Sequence, residues 1–172
     1  MATDFPVDQA INPLLQALKA HGRAILEAPP GAGKSTRVPL ALLDSEWGQR
    51  GKILMLEPRR VAARSVATFM ASQRGEAVGQ SVGYRTRTDT RVSARTHLEV
   101  ATEGVLTRML LNDPELPGVS LVIFDEFHER SLNADLGLAL ILEASEAFRP
   151  DLGLLVMSAT LDWGPLETLL QA

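Results

Sequence analysis

The chain has 172 residues, a net charge of −4, 45% hydrophobic residues and 22% charged residues. This length fits one domain with a core of its own, and the composition is that of a globular protein rather than a disordered or membrane-embedded one. No apolar run approaches the ~20 residues of a membrane span, and the acidic start MATDFPVDQA lacks the positive charge of a signal peptide. The absence of cysteine excludes disulfides and thiolate metal sites. We therefore expect a cytoplasmic protein with no membrane partner.

Strand and helix patterns alternate along the chain. After an amphipathic helix that should end near Gly22, continuous apolar runs predict strands buried on both faces at residues 23–28, 52–57, 97–102, 119–124 and 152–157. Helical patterns lie between them at residues 34–43, 60–74, 104–111 and 132–148, and the polar segment RTRTDTRVSART at 85–96 predicts a hairpin or loop. This alternation is typical of an α/β fold, with a doubly wound, mostly parallel sheet and helices on both faces.

The first predicted strand runs into APPGAGKST at residues 28–36 and then into a helix, which is the context of a phosphate-binding P-loop. Two prolines in this loop carry no N–H, so a phosphate must be held by the backbone amides that follow. The Lys34 side chain is expected to reach the β- and γ-phosphates of a nucleotide, and the Ser35 hydroxyl to bind Mg²⁺. The predicted nucleotide-binding residues are Gly31, Ala32, Gly33, Lys34, Ser35 and Thr36.

The loop departs from the pattern G-x-x-x-x-G-K-[ST] at its first position, where this chain has Ala28. A methyl group is harmless there if Ala28 keeps a negative φ. The alternative interpretation is a glycine-rich turn with Lys34 as a solvated lysine. A lysine at a helix N-terminus opposes the helix dipole, however, unless an anion is bound beside it.

A second group of charges follows the strand at 119–124, in the stretch LVIFDEFHER. Unpaired charges at the end of a buried strand are expensive to desolvate, so they are expected to face a ligand. The carboxyl ends of parallel strands meet at one edge, which brings this stretch to the edge of the P-loop. Asp125 is expected to anchor Mg²⁺, and Glu126 to lie at the metal and to orient and deprotonate the attacking water. An Asp-Glu pair that caps a helix is the alternative, and neither role requires His128.

Charge is distributed unevenly along the chain. Nine arginines stand against four acids between Arg59 and Arg108, a balance of +5, whereas two arginines stand against eleven acids from Leu110 to the end. The first region suits a polyanion, although a solvated face is the alternative for any single charge.

The stretch DEFHER resembles the DEAH-type Walker B box of superfamily 2 helicases, with Phe127 in place of the usual alanine. Three further segments resemble helicase motifs in the right order: EPRRVAARSVA (57–67) resembles motif Ia, TEGVLTR (102–108) motif Ib, and MSAT (157–160) motif III. The whole chain is similar to the first RecA-like domain of these enzymes.

The resemblance implies an ATP-dependent helicase that moves on single-stranded RNA or DNA without reading its sequence, using ATP or another NTP with Mg²⁺. It implies catalytic roles for Lys34, Asp125, Glu126 and His128. It also implies that the nucleic-acid backbone contacts Arg59, Arg60, Thr102 and Arg108, and that the ATP site is linked to the strand-binding face through His128, Ser158 and Thr160.

Two departures bear on these roles. Many DEAH proteins have an arginine in the motif Ia helix that stacks on the nucleotide base, and Phe69 occupies the aligned position. An aromatic ring could stack there instead, or could belong to the core. No segment like the adenine-reading Q motif precedes the P-loop, so base selectivity should be weak.

The family's second RecA-like domain, with its arginine fingers, has no counterpart in the sequence. We therefore expect residues 1–172 to be one RecA-like domain of a longer enzyme, with the second domain as its partner. One alternative is a module that binds nucleotide and nucleic acid without significant turnover of its own. Another is a nucleotide kinase, but no arginine-rich lid follows the P-loop helix, and kinase chemistry gives no reason for DEFH followed by SAT.

Overall fold

The predicted alternation of strands and helices is present in a computed structural model that describes residues 8–28, 33–127 and 132–159. The helices are α1 (Asp8–His21), α2 (Lys34–Leu43), α3 (Glu46–Arg50), α4 (Arg60–Gln73), α5 (Glu103–Asn112) and α6 (Leu132–Ala147). The strands are β1 (Arg23–Glu27), β2 (Lys52–Glu57), β3 (Val82–Arg85), β4 (Thr90–Arg91), β5 (Leu98–Thr102), β6 (Val119–Phe124) and β7 (Gly153–Ser158).

The seven strands form one sheet in the order β1-β7-β6-β2-β5-β3-β4. Every neighbouring pair is parallel except β3 and β4, which run antiparallel at the edge. The predicted mostly parallel α/β sheet is therefore confirmed. In the described part of the chain, no helix is long and apolar enough to cross a membrane.

Both faces of the sheet are covered by helices. Strand β2 illustrates this, because Ile53 and Met55 pack into the cluster beneath α1 to α4, whereas Leu54 and Leu56 pack into the cluster beneath α5 and α6. All four side chains are buried, and burial of each stabilises the fold by about 1.5–3 kcal/mol. The continuous apolar runs of the sequence thus correspond to strands with no solvent-facing side, as predicted.

Two elements were not predicted from the sequence. The short helix α3 begins after Ser45, whose side chain accepts a hydrogen bond from the amide of Trp47 at 3.2 Å. Strand β3 lies parallel to β5 and antiparallel to β4, with Tyr84 opposite Arg91. The segment predicted as a hairpin or loop at 85–96 is therefore part of a hairpin that begins at Val82. A Cβ atom on Gly83 would lie 2.3 Å from the carbonyl oxygen of Arg91, so only glycine allows this close approach of the two strands.

Candidate nucleotide and nucleic-acid site

The carboxyl ends of five parallel strands bring the predicted site residues to one edge of the sheet. Strand β1 leads toward the P-loop, β7 ends at Ser158, β6 leads to Asp125 and Glu126, β2 to Arg59, and β5 ends at Thr102. Since these strands are neighbours in this order, the described residues of the predicted nucleotide site occupy one half of the edge and the predicted nucleic-acid residues the other.

The described end of the P-loop begins helix α2. Gly33 has a φ of +90°, a left-handed conformation that favours glycine, and its carbonyl accepts a 2.8 Å hydrogen bond from the amide of Arg37. Ala28 is not among the described residues with positive φ, so its methyl group is tolerated as expected. Ser35 and Thr36 lie half-buried in the first turn. Gly31 and Ala32 lie outside the described residues.

Lys34 is the first residue of α2 and is only 6% exposed. It makes no ion pair with any residue that the structure describes. A buried ammonium group is costly without a compensating negative charge, and a solvated lysine would be exposed. The alternative interpretation of Lys34 as a solvated lysine is therefore wrong, and its position at a helix N-terminus suits a bound anion.

Asp125 is 2% exposed and directly follows β6. Its amide donates a 3.0 Å hydrogen bond to the carbonyl of Leu56, and its Oδ1 accepts one of 2.9 Å from the amide of Glu126. Its Oδ2 is buried and has no hydrogen-bond partner among the described residues. A buried carboxylate oxygen in this state is costly unless a cation or water satisfies it.

The described residues contain no cluster of three or more His, Asp or Glu side chains that could hold a metal ion by themselves. Mg²⁺ does not need such a cluster, because it is usually held by one or two carboxylates together with waters and substrate phosphates. The orphaned Oδ2 of Asp125 and the Ser35 hydroxyl in the first turn of α2 are donors of the right kind. The residues present therefore fit Mg²⁺ bound with a nucleotide.

Glu126 has a φ of +52°, which is uncommon for a residue other than glycine. Such a conformation costs about 1–3 kcal/mol and persists where the surroundings impose it, often at functional sites. Its Oε2 lies 3.8 Å from Nη2 of Arg59, at the start of the neighbouring half of the edge. His128, predicted from the same motif, lies outside the described residues.

The predicted nucleic-acid residues share one open depression of about 840 Å³. The N-termini of α4 and α5 both reach it, and the partial positive charge of a helix N-terminus favours anions. Thr102 is the N-cap of α5, but its side chain makes no capping hydrogen bond, which leaves the hydroxyl for other partners. The lining residues are Pro58, Arg59, Arg60, Val61, Arg87, Thr102, Glu103, Gly104, Val105 and Arg108.

Sequence reasoning did not single out Arg87, which lies in the turn between β3 and β4 and lines the same depression. The sequence feature that could have pointed to Arg87 is its position in the polar segment 85–96, which belongs to the arginine-rich region between Arg59 and Arg108. Four arginines occur in that segment at 85, 87, 91 and 95. Only the folded turn between β3 and β4 brings one of them to the depression.

Ser158 and Phe69, two other residues considered in the sequence analysis, lie outside the arginine-lined depression. Ser158 is fully buried at the end of β7 and does not line the depression, and Thr160 lies outside the described residues. Phe69 is 49% exposed on α4, so the interpretation as a core residue is wrong. It borders a shallow depression of about 500 Å³ with Arg64, Ser65, Thr68 and Ser72.

Comparison with protein families gives a match to the DEAD/DEAH box helicase model over residues 7–169. Among curated proteins, the ATP-dependent RNA helicase HrpB of Escherichia coli (strain K12) is 54% identical over 98% of this chain. The ATP-dependent RNA helicase HrpA of Borreliella burgdorferi is 38% identical over 92% of it. The chain spans only 21% and 19% of these two relatives.

Solved structures agree with the sequence comparison. A crystal structure of the E. coli DExH-box NTPase HrpB matches with a TM-score of 0.94 and 53% identity, over 99% of this chain and 21% of that one. The resemblance expected from the order of the sequence motifs is thereby confirmed, as is the RecA-like α/β fold.

Proposed function

This chain belongs to the DEAD/DEAH box helicase family, and we propose that it is the ATP-binding domain of an ATP-dependent RNA helicase. One observation carries the proposal: the buried Lys34 and Asp125 occupy one half of a single sheet edge, and the arginine-lined depression occupies the other half. A nucleotide kinase requires a nucleotide site, but its reaction does not require an arginine-lined depression beside that site.

In the nucleotide half, we propose that the amides of residues 31–36 hold the phosphates of ATP and that Lys34 balances their charge. Ser35, Asp125 and Glu126 would hold Mg²⁺, which when bound neutralises charge on the β- and γ-phosphate oxygens. Glu126, next to the buried Asp125, is the proposed base that orients and deprotonates the attacking water.

In the other half, Arg59, Arg60, Arg108 and Thr102 would contact the phosphates of a single strand, and we add Arg87 to this set. The two helix N-termini at the depression contribute the same sign of charge as the arginines. Contacts of this kind position a strand without reading its sequence. RNA is the proposed polynucleotide because the similar proteins named above are RNA helicases.

The proposal extends to coupling between the two halves, base stacking, domain organisation and location. His128, Ser158 and Thr160 would link the two halves through an arrangement that depends on the γ-phosphate. Phe69, exposed on α4, would stack on the nucleotide base with little selectivity. The chain would form one RecA-like domain of a longer enzyme, which would provide a second RecA-like domain with arginine fingers. A cysteine-free sequence agrees with a cytoplasmic location.

Calorimetry with ATP, in the presence and absence of Mg²⁺, tests the nucleotide half directly. We expect Mg²⁺ to strengthen ATP binding to the unaltered chain and to lose this effect in Asp125→Asn, because the substitution removes the negative charge that attracts the cation. Glu143→Gln is the matched control, since Glu143 is exposed on α6 on the face away from α2. An unchanged Mg²⁺ effect in Asp125→Asn would contradict the metal role.

A further inference from the structure

The ion pair between Arg59 and Glu126 joins the two halves of the sheet edge. Nη2 of Arg59 lies 3.8 Å from Oε2 of Glu126. Arg59 follows β2 and lines the arginine-lined depression, whereas Glu126 follows β6 next to the buried Asp125. One guanidinium group thus faces the proposed strand-binding surface and the proposed catalytic carboxylate at the same time.

We infer that Arg59 is a positioning residue whose guanidinium is shared between Glu126 and a strand phosphate, so that strand binding releases the carboxylate that activates water. This inference rests on the proposed function of both residues. Without a strand, the pair would hold the carboxylate of Glu126 toward Arg59 and away from the nucleotide. With a strand bound, a strand phosphate would pair with the guanidinium of Arg59, and the carboxylate of Glu126 could then turn toward the nucleotide.

The strength of the contact suits such an exchange. The 3.8 Å separation exceeds hydrogen-bond length. Although Oε2 of Glu126 is buried, the Arg59 side chain is 67% exposed, so solvent reaches the guanidinium and the stabilisation by the pair is small. A phosphate can offer the guanidinium two parallel hydrogen bonds. A tightly buried pair would resist displacement, whereas this one can be displaced by a single phosphate of the strand.

The backbone of Glu126 restricts how the carboxylate can move. Its left-handed φ of +52° and the 2.9 Å hydrogen bond from its amide to Oδ1 of Asp125 fix its Cα next to the proposed metal site. Only the side-chain torsions remain to turn the carboxylate toward or away from Arg59. A change in its partner therefore alters side-chain orientation without requiring a movement of the sheet edge.

If the strand affects Glu126 through Arg59, then Glu126 must affect the affinity for the strand, and this affinity can be measured without ATP hydrolysis. If a strand phosphate and Glu126 compete for Arg59, removing the charge of Glu126 must tighten strand binding. We expect Glu126→Gln to tighten binding of a short single-stranded RNA by about twofold to fivefold, the range for an exposed ion pair. In an Arg59→Ala background, the same substitution should have no effect.

Two controls separate this exchange from a general effect of charge. Arg60→Ala removes the next arginine of the same depression, and no ion pair links Arg60 to Glu126. In that background, Glu126→Gln should still tighten binding. Asp125→Asn removes a neighbouring negative charge that makes no ion pair with Arg59, and it should change RNA affinity by less than Glu126→Gln does.

Fluorescence anisotropy of a labelled RNA at constant salt, on the full set of single and double variants, decides the matter. Non-additive effects confined to the Arg59 and Glu126 pair would support the inference. Equal tightening by Glu126→Gln in the unaltered and Arg59→Ala backgrounds would overturn it, although strand binding itself would stand. No RNA binding by the unaltered chain would overturn both the inference and the proposed strand-binding function.

A second measurement, in a full-length version, checks the consequence for hydrolysis. Arg59→Ala should raise the ATPase rate without RNA and reduce the fold-stimulation at saturating RNA. Arg60→Ala should raise the RNA concentration that half-saturates the stimulation. Arg95→Ala, which alters an exposed arginine outside the depression, is the control and should leave both the RNA-free rate and the stimulation unchanged. A fall in the RNA-free rate of Arg59→Ala would contradict the exchange, because it would mean that Arg59 supports Glu126 rather than restrains it.

Discussion

Oη of Tyr84 donates a 2.6 Å hydrogen bond to Oδ2 of Asp89, which ties the turn between β3 and β4 to the buried end of β3. The same turn is closed by the amide of Thr86, which donates a 2.8 Å hydrogen bond to the carbonyl of Asp89. Arg87 lies between these anchored residues and lines the depression. The position of this arginine therefore depends on the hydrogen bonds that Tyr84 and Thr86 make to Asp89 across the turn.

We expect Tyr84 to titrate above its ordinary pKa of 10.0, because the hydrogen bond to Asp89 and then burial both raise the pKa of the phenol. Tyr84 is the single tyrosine of the chain, so phenolate absorbance reports this residue alone. The stability that this bond contributes is complete below the ordinary pKa and is lost as pH rises through the raised value. The urea-unfolded chain should titrate at lower pH than the folded one.

Substitution identifies the cause of that shift. Asp89→Asn should move the titration of Tyr84 back toward 10.0, and Tyr84→Phe should lower the free energy of unfolding by about 1 kcal/mol. Asp113→Asn, at an exposed aspartate in the loop after α5, should leave the titration unchanged. If the folded and unfolded chains titrated together, Tyr84 could not be the anchor of the turn.

Strand binding by the depression should depend on salt and not on sequence. We expect a Kd for single-stranded RNA of about 10⁻⁴ to 10⁻⁶ M, the range of non-specific binding. Arg59→Ala, Arg60→Ala, Arg87→Ala and Arg108→Ala should each weaken binding to all sequences alike and lower the salt slope by about one unit or less. Arg95→Ala, which alters an exposed arginine outside the depression, is the control. Anisotropy across a salt series measures these slopes.

Melting curves of the same variants exclude the alternative that the arginines only stabilise the fold. Arg59, Arg60 and Arg108 are exposed, so their removal should leave the melting temperature nearly unchanged. Lowered melting temperatures with unchanged salt slopes would mean that the depression is a structural salt-bridge network rather than a strand-binding surface.

Nucleotide binding should depend on the buried ammonium group of Lys34. We expect Lys34→Ala to lower ATP affinity by about tenfold or more, because a hydrogen bond to a charged group is worth about 1.5–3 kcal/mol. Lys19→Ala, at an exposed lysine of α1, should have no effect. Undiminished affinity of Lys34→Ala in calorimetry would contradict the P-loop assignment.

The sheet and its edge could be predicted because their signals are local. The run VSLVIF is continuous and apolar, and all six of its residues are buried. The P-loop likewise needs only a strand, a glycine-rich turn and a helix in succession. Asp125 and Lys34 could therefore be assigned to one edge before any coordinates were known.

Other features depend on contacts between distant segments. Strand β3 was missed because Gly83 weakens the strand pattern, although the glycine is required by the approach of Arg91. Arg87 could not be chosen from its neighbours because its position depends on the anchor of Tyr84. The ion pair between Glu126 and Arg59 depends on the pairing of β6 with β2, which no sequence spacing encodes, and no local pattern predicts the positive φ of Glu126.

We propose that this domain carries an ATP site beside a strand-binding surface and depends on arginine fingers from another domain for rapid turnover. ATPase rates should therefore be measured for this chain and for a full-length version, each with and without single-stranded RNA. An arginine finger is worth about 10³ to 10⁵ in rate, so we expect very slow hydrolysis by this chain and RNA-stimulated hydrolysis by the full-length version. Rapid hydrolysis by this chain alone, abolished by Glu126→Gln, would show that the domain needs no arginine finger from elsewhere.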